Sequence, residues 1–323
     1  MKALARWGLA LAGLLAAGVA DAFPDRAVQI IVPWAAGGGT DTVARIFSTA
    51  FEQELKVPVN VVNRPGGNGL AGHTAIMMAG PDGYTLGVAS PEIAFYKTLG
   101  TGDVTPASFD LFSRLSLIPA GVTVRADAPY NTLDDFLKAV KESPKGTLMA
   151  SGSGVGGAWH VAVGGLLKAA GVEADRLRWV PSQGGAPALQ DVMAGGITAF
   201  TGSPVEAKSL MEAGRVKTIA LMTAARSPIF PAVPTTKEEG VDWTYENWFA
   251  LVAPSGLPAD RRSTLYEAAR RVMARPEVQE AMKMRGIQPV WDAPGEFETY
   301  VKGFAERGNA VLVDLGLAKG KSP

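Results

Sequence analysis

The chain of 323 residues has no cysteine and only two histidines. The first absence excludes thiolate catalysis, disulfides and cysteine-ligated metals. The second leaves His73 and His160 far apart in sequence, neither with a second metal-type ligand at helical spacing, so no histidine-rich zinc site is expected. Excess charge is also missing. Lys+Arg and Asp+Glu both number 31, which removes any electrostatic case for nucleic acid or for an acidic membrane surface. No serine sits in a G-x-S-x-G elbow. Past the N-terminus no apolar run approaches the roughly 20 residues that span a bilayer. No catalytic residue, metal or cofactor is expected.

An apolar content of 47% supports packed cores, and 19% charge argues against long disorder. The length suggests about two domains. Residues 1–22 read as a secretory signal. Lys2 and Arg6 form its positive end, a short apolar stretch follows, and Ala20-Asp21-Ala22 is an A-x-A cleavage site that would leave Phe23 as the mature N-terminus. The protein is expected to be periplasmic.

The stretch 28–47 organises the rest. Val28, Ile30, Ile31 and Val32 form a strand that Pro33 closes. A loop with Gly37, Gly38 and Gly39 follows. Val43, Ile46, Phe47, Ala50, Phe51 and Leu55 then recur at helical spacing, with Thr40 or Asp41 as candidate cap. A strand thus delivers a loop almost without side chains to a helix N-terminus, where backbone N–H groups and the helix dipole favour an anion. Thr40-Asp41 stand where a phosphate-binding loop needs Lys-Ser/Thr. A plain strand–helix turn is the alternative.

The unit recurs. Strands are expected over 57–62 and 84–89, with a short helix at 71–79 between them. A single strand is expected over 115–124, and a helix over 133–141 capped by Asn131 or Thr132. Strand 148–150, the glycine loop 151–157 and helix 159–170 follow. After them come strand 177–180, a small-residue loop, helix 187–194, and strands 197–201 and 216–222 around helix 205–213. Strand 248–253 precedes helices 259–275, 276–285 and 296–315, which are expected to pack back on the first lobe. Alternation of this kind gives parallel sheets covered by helices.

Gly152, Gly154 and Gly157 satisfy G-x-G-x-x-G, with Glu173 and Asp175 near the ribose-acid position. An export signal counts against a nicotinamide cofactor. His160 orients the second glycine loop or touches a ligand, or is simply a hydrogen-bonded, half-buried histidine. His73 reads as a surface or helix-start residue. Trp34 and Trp159 adjoin glycine loops and can wall a pocket, whereas Trp179, Trp243 and Trp291 read as core.

Several stretches, in order along nearly the whole mature chain, are similar to one family. They are FPDRAVQIIVP at 23–33, AAGGGTD at 35–41, NRPGG at 63–67, PDGYTL at 81–86, SGSGVG at 151–156 with His160, GGAPA at 184–188, and Ser227-Pro228 with Pro234-Thr235. The chain resembles the periplasmic solute-binding receptors of tripartite tricarboxylate transporters, often called Bug receptors. The resemblance implies an α/β, two-lobe periplasmic-binding-protein fold of the type II flytrap kind, with mixed, mostly parallel sheets. Lobe 1 is expected over 23–122 with 251–323, and lobe 2 over 123–250, with crossings near Val122 and Ala250.

It further implies that loops 34–41, 90, 151–157 and 182–184 line the cleft, where backbone amides and bridging waters hold a ligand carboxylate. The candidate ligand-binding residues are Trp34, Ala36, Gly37, Gly38, Thr40, Asp41, Ser90, Ser151, Ser153, Gly154, Gly157, His160, Gln183 and Gly184. Integral membrane permease subunits are the implied partners of a monomeric receptor for a small carboxylate. An exported α/β enzyme and a ligand-sensing subunit are the competing readings. Gly157, Ser182, Gln183 and Val62 depart from the family pattern. The glycine loops carry no Arg or Lys, so a mono- or dicarboxylate with a hydrophobic portion is expected in preference to a citrate-like ligand.

Overall fold

The computed structural model describes residues 23–319; the export signal expected over 1–22 lies outside the described residues. The chain opens with strand Val28–Val32 (β1), helix Gly39–Leu55 (α1), strand Val59–Asn63 (β2), helix Leu70–Met77 (α2) and strand Thr85–Ala89 (β3). β1 is buried at four of its five positions. α1 turns Val43, Ala44, Phe47, Ala50 and Phe51 inward. Gly72 lets α2 meet the end of β1, because a Cβ there would lie 2.4 Å from Pro33 Cα.

A 3₁₀ turn Pro91–Ala94 and the short helix Tyr96–Leu99 (α3) lead to strands Phe109–Pro119 (β4) and Gly121–Arg125 (β5). Helix Leu133–Glu142 (α4) is capped by Thr132, which with Asp135 forms a capping box. Strand Leu148–Ser151 (β6), helix Ala158–Ala169 (α5), strand Leu177–Trp179 (β7), helix Gly185–Met193 (α6), strand Ala199–Phe200 (β8), helix Pro204–Glu212 (α7) and strand Val216–Leu221 (β9) follow. The remainder is strand Glu246–Pro254 (β10), helices Ala259–Met273 (α8) and Pro276–Lys283 (α9), strand Gln288–Pro289 (β11) and helix Glu296–Asp314 (α10).

Two sheets define two lobes. The six-stranded sheet of lobe 1 runs β11-β4-β10-β3-β1-β2, and the five-stranded sheet of lobe 2 runs β7-β6-β8-β5-β9. Both are mixed. Pairing is parallel within β2-β1-β3 and β7-β6-β8 and antiparallel elsewhere. Parallel order is thus confined to the strand–helix–strand units and does not predominate overall, because the long strands near the crossings pair antiparallel.

The single strand expected over 115–124 is two strands in different sheets. Ala120, fully buried, separates them. Its N–H donates to Tyr245 O at 3.1 Å and its carbonyl accepts from Met222 N at 2.8 Å, while Tyr245 N donates to Met222 O at 2.7 Å. The outgoing and returning connections therefore run side by side, hydrogen-bonded to each other. Both halves of 109–125 are apolar and buried, so nothing in the pattern marks the change of sheet.

Two of the three tail helices pack on lobe 1 as expected, and the last departs in part. α8 and α9 pack on α1 of lobe 1. α10 packs on β4 and the 91–94 turn but also on α5 of lobe 2. Gly164 of α5 makes room for Val311 and Leu315, and Lys168 pairs with Asp314. Trp243 lies across Gly165 of α5 and donates from Nε1 to Ala162 O at 2.9 Å. Among the described residues no helix is long and apolar enough to cross a membrane.

Candidate functional site

Three helices that enter the space between the lobes share one feature. α1, α5 and α6 begin at Gly38, Gly157 and Gly184, and none has a side-chain cap. Helices α4 and α7 are instead capped by Thr132 and Ser203. A glycine cap leaves first-turn N–H groups free for another acceptor. Neither Thr40 nor Asp41 caps α1, since both lie inside its first turn, where they are buried.

Asp41 shapes the first loop. Its Oδ2 accepts from Gly37 N and Arg45 Nε, each at 2.9 Å, and its Oδ1 accepts from Asn63 Nδ2 at 2.9 Å. Asn63 Nδ2 also reaches Trp34 O at 3.0 Å. Burial alone would raise the Asp41 pKa, but the bonds from Arg45, Gly37 and Asn63 outweigh it and hold the carboxyl below its ordinary value. The carboxylate is thus engaged within lobe 1. The loop it bends exposes Ala36 and Gly37 at its apex and leaves Gly38 half-buried. Gly37 sits at φ +85°, in the left-handed region that glycine tolerates.

Trp34 is half-buried and donates from Nε1 to Ser90 Oγ at 3.1 Å. Behind it lies His73, which is fully buried rather than at the surface. Ser90 N donates to His73 Nε2 at 3.2 Å, so Nδ1 carries the proton and meets Tyr96 OH at 2.8 Å. Tyr96 OH in turn donates to Asn68 O at 2.9 Å. Burial pushes the His73 pKa down to about 3, so the ring is a neutral strut joining three loops of lobe 1.

The second glycine loop is packed on lobe 1. A Cβ at Gly154 would lie 2.8 Å from Asn68 Oδ1, one at Gly156 2.5 Å from Leu99, and one at Gly157 2.7 Å from Ser153 Oγ and 2.9 Å from Asn68. Close approach of the two lobes is therefore what these glycines permit here. Gly156 N donates to His160 Nδ1 at 3.1 Å, so His160 does orient the loop. Its ring stacks on Trp179 at 4.5 Å between centroids, and burial pushes its pKa down to about 4. Trp159 is buried under Gly152. Ser151 is buried with its hydroxyl unpartnered. Ser153, also buried, joins this loop to the third: its carbonyl accepts from Ser182 N at 3.0 Å. Gln183 is exposed, and Gly184, at φ +142°, opens α6.

A cavity of about 400 Å³ lies between Gly37, Gly39 and Thr42 of lobe 1 and Val205, Glu206 and Ser209 of α7. That volume is in the range of small-ligand sites. Of the candidate residues only Gly37 lines it. Thr42 and Glu206 were not singled out by sequence. Glu206 lies over Gly185, its Oε2 has no partner, and burial pushes its pKa up to about 7. Lys208 and Arg285 reach the same cavity, so cations enter from elements other than the glycine loops. Lys208 stands 4.0 Å from Glu212. A larger hollow of about 890 Å³ lies on lobe 1 against α10. No glycine-loop residue lines it, so size alone does not select the site.

A family model described as "Tripartite tricarboxylate transporter family receptor" matches residues 43–317. The chain is 27% identical to protein BugT of Bordetella pertussis over 321 residues, covering 95% of each chain. Among solved structures it is similar to MatC (Rpa3494) from Rhodopseudomonas palustris with bound malate, at 27% identity and TM-score 0.81, covering 90% of this chain and all of that one. It is also similar to R. palustris Rpa4515 with adipate, at 25% identity and TM-score 0.82, covering 92% and 99%.

Proposed function

The chain belongs to the tripartite tricarboxylate transporter receptor family, and from that premise we propose that it captures a small carboxylate between its lobes and presents it to integral membrane permease subunits. Its work is binding, as in the family, and not catalysis. One observation carries the ligand class: helices α1 and α6 reach the cleft with glycine caps and no side chain on their first-turn N–H groups. Two similar receptors, MatC and Rpa4515, hold malate and adipate.

The proposed contacts are those of loops 34–41, 90, 151–157 and 182–184, with Thr42 and Glu206 added from the cavity wall. The expected boundaries at 122 and 250 move to the change of sheet, because β5 starts at Gly121 in lobe 2 and β10 at Glu246 in lobe 1: the proposed lobes are 23–120 with 246–323, and 121–245. The change of sheet at Ala120 and the return into β10 support that division. Charge limits the ligand. Lys208 and Arg285 are set against Glu206 and Glu212 around the cavity, so three carboxylates would bring in unpaired buried charge. A mono- or dicarboxylate with an apolar body fits better, with Trp34 available to cover it. Export with loss of residues 1–22, and a monomeric state, complete the proposal.

Thermal stability of exported protein, its N-terminus first sequenced as Phe23, tests the reading. At 100 times Kd a ligand adds roughly 2.7 kcal/mol, which raises Tm by at least a few degrees in a chain of this size. Shifts with aromatic or short-chain mono- or dicarboxylates are expected. A shift with citrate alone would overturn the charge argument, and no shift with any carboxylate would overturn the ligand class.

A further inference from the structure

Glu92 lies in the 3₁₀ turn after β3, outside every glycine loop, and is 2% exposed. Its carboxylate leaves lobe 1. Oε1 accepts from the N–H of Ala158, the first residue of α5 in lobe 2, at 3.0 Å. Oε2 accepts from Ser90 Oγ at 2.7 Å, and Ser90 Oγ accepts from Trp34 Nε1 at 3.1 Å. A relay Trp34–Ser90–Glu92–Ala158 thus joins the lobes. α5 needs an acceptor at this point. Its glycine cap offers no side chain, and the N–H of a helix's first residue has no carbonyl partner within the helix. Burial pushes the Glu92 carboxyl above its ordinary pKa, against the bonds from Ser90 and Ala158.

A helix N-terminus with a free N–H is an anion position. We propose that Glu92 is a specificity-determining residue, filling one anion position of the cleft with the chain's own carboxylate. The inference rests on the carboxylate-receptor reading and narrows it. The second carboxylate of a ligand reaching α5 finds the N–H taken and meets the oxygens of Glu92 in place of a donor, away from water. The cleft therefore favours a monocarboxylate with an apolar body over the dicarboxylate of the same length.

The test uses Glu92→Ala and, as the milder change, Glu92→Asp, whose shorter side chain withdraws from Ala158. Acetate is the first probe. It is expected to raise the Tm of Glu92→Ala saturably and by more than that of the wild type, and of Glu92→Asp by an intermediate amount, while acetamide is inert. The second readout is Kd for the matched pairs butyrate and succinate, and hexanoate and adipate. Preference is expected to move toward the dicarboxylate by roughly tenfold in the alanine variant. A variant indifferent to acetate, a wild type that responds equally, or an unchanged mono-to-dicarboxylate ratio would overturn the proposal. Should Glu92→Ala fail to fold, Glu92→Asp carries both readouts. If no protein binds any of the paired ligands, the carboxylate-receptor reading falls, while the acetate response still decides whether Glu92 fills the α5 N-terminus.

Discussion

His73 shows how much one buried side chain can hold. It receives Ser90 N, meets Tyr96 OH and through it steadies Asn68, so it ties the loops that carry Trp34, Ser90 and the contact with lobe 2. The ring pays for that position in acid. Its folded pKa is about 3, against an ordinary value of 6.5. Between the two values the unfolded chain binds the proton and the folded chain does not. Stability is therefore fully present above about 6.5 and is lost as pH falls toward 3. His160, at about 4, acts in the same direction. Glu206 acts in the opposite one: raised from 4.5 to about 7, it contributes stability below 4.5 that is lost as pH rises through 7. For His73→Gln, denaturant unfolding at pH 7 is expected to show a loss of roughly 1–3 kcal/mol, because at least one partner is left unpaired. The further loss on going to pH 5 is expected to be smaller than in the wild type. Equal losses between pH 7 and 5 in the two proteins would refute a buried neutral imidazole.

At the level of elements, the glycine cap of α1 lends itself to a direct test of the proposed contact. Gly38 has ordinary extended backbone, φ −78° and ψ 176°, and a Cβ there would meet only Ala35 O at 3.6 Å. Serine fits and would bond the first turn of α1. Gly38→Ser is expected to leave Tm unchanged or slightly higher while weakening carboxylate binding roughly tenfold, since the new hydroxyl takes the N–H group. Calorimetric titration showing wild-type affinity would mean that α1 does not receive the ligand. Strand and helix periodicity made most elements legible, from the Val28–Val32 strand and its glycine loop to the Thr132 cap. The start of β4 at Phe109 was hidden at the end of a stretch, 100–110, rich in Thr, Gly, Pro and Asp, and the change of sheet at Ala120 was hidden because both halves are buried. The candidate site was legible as glycine loops but not as contacts. Glu92 and Ala158 are 66 positions apart, and a hydrogen-bonded buried carboxylate has no periodic signature. His73 looked like a surface residue for the same reason: its partners come from residues 90 and 96.

For the whole molecule the question is how a cleft opens when its lobes touch on one flank. Glu92 reaches α5, Asn68 abuts Gly154 and Gly157, Leu99 abuts Gly156, and α10 leans on both lobes. The cavity beside α7 is also lined from both lobes. The paired connections at Ala120, Met222 and Tyr245 are where a hinge is expected, because hinge closure around a ligand bends a few residues at element ends. Opening about that hinge must separate Asn68 from Gly154, and this gives a direct test. A Cβ at Gly154 would lie 3.3 Å from Asn68 Cβ, near the roughly 3.5–4.5 Å of a disulfide. The chain has no cysteine, so Asn68→Cys with Gly154→Cys forms the only pair. Asn68 has φ +57°, and cysteine there costs about 1–2 kcal/mol, so the reduced variant is expected to melt somewhat below the wild type. Once oxidised, it is held shut. Ligand association is then expected to slow by tenfold or more and to recover with dithiothreitol. In small-angle scattering the ligand-free reduced protein should be the more expanded form. Association at the same rate in both redox states, with identical scattering, would show that ligand enters without separation of this flank, and the hinge would have to be sought elsewhere.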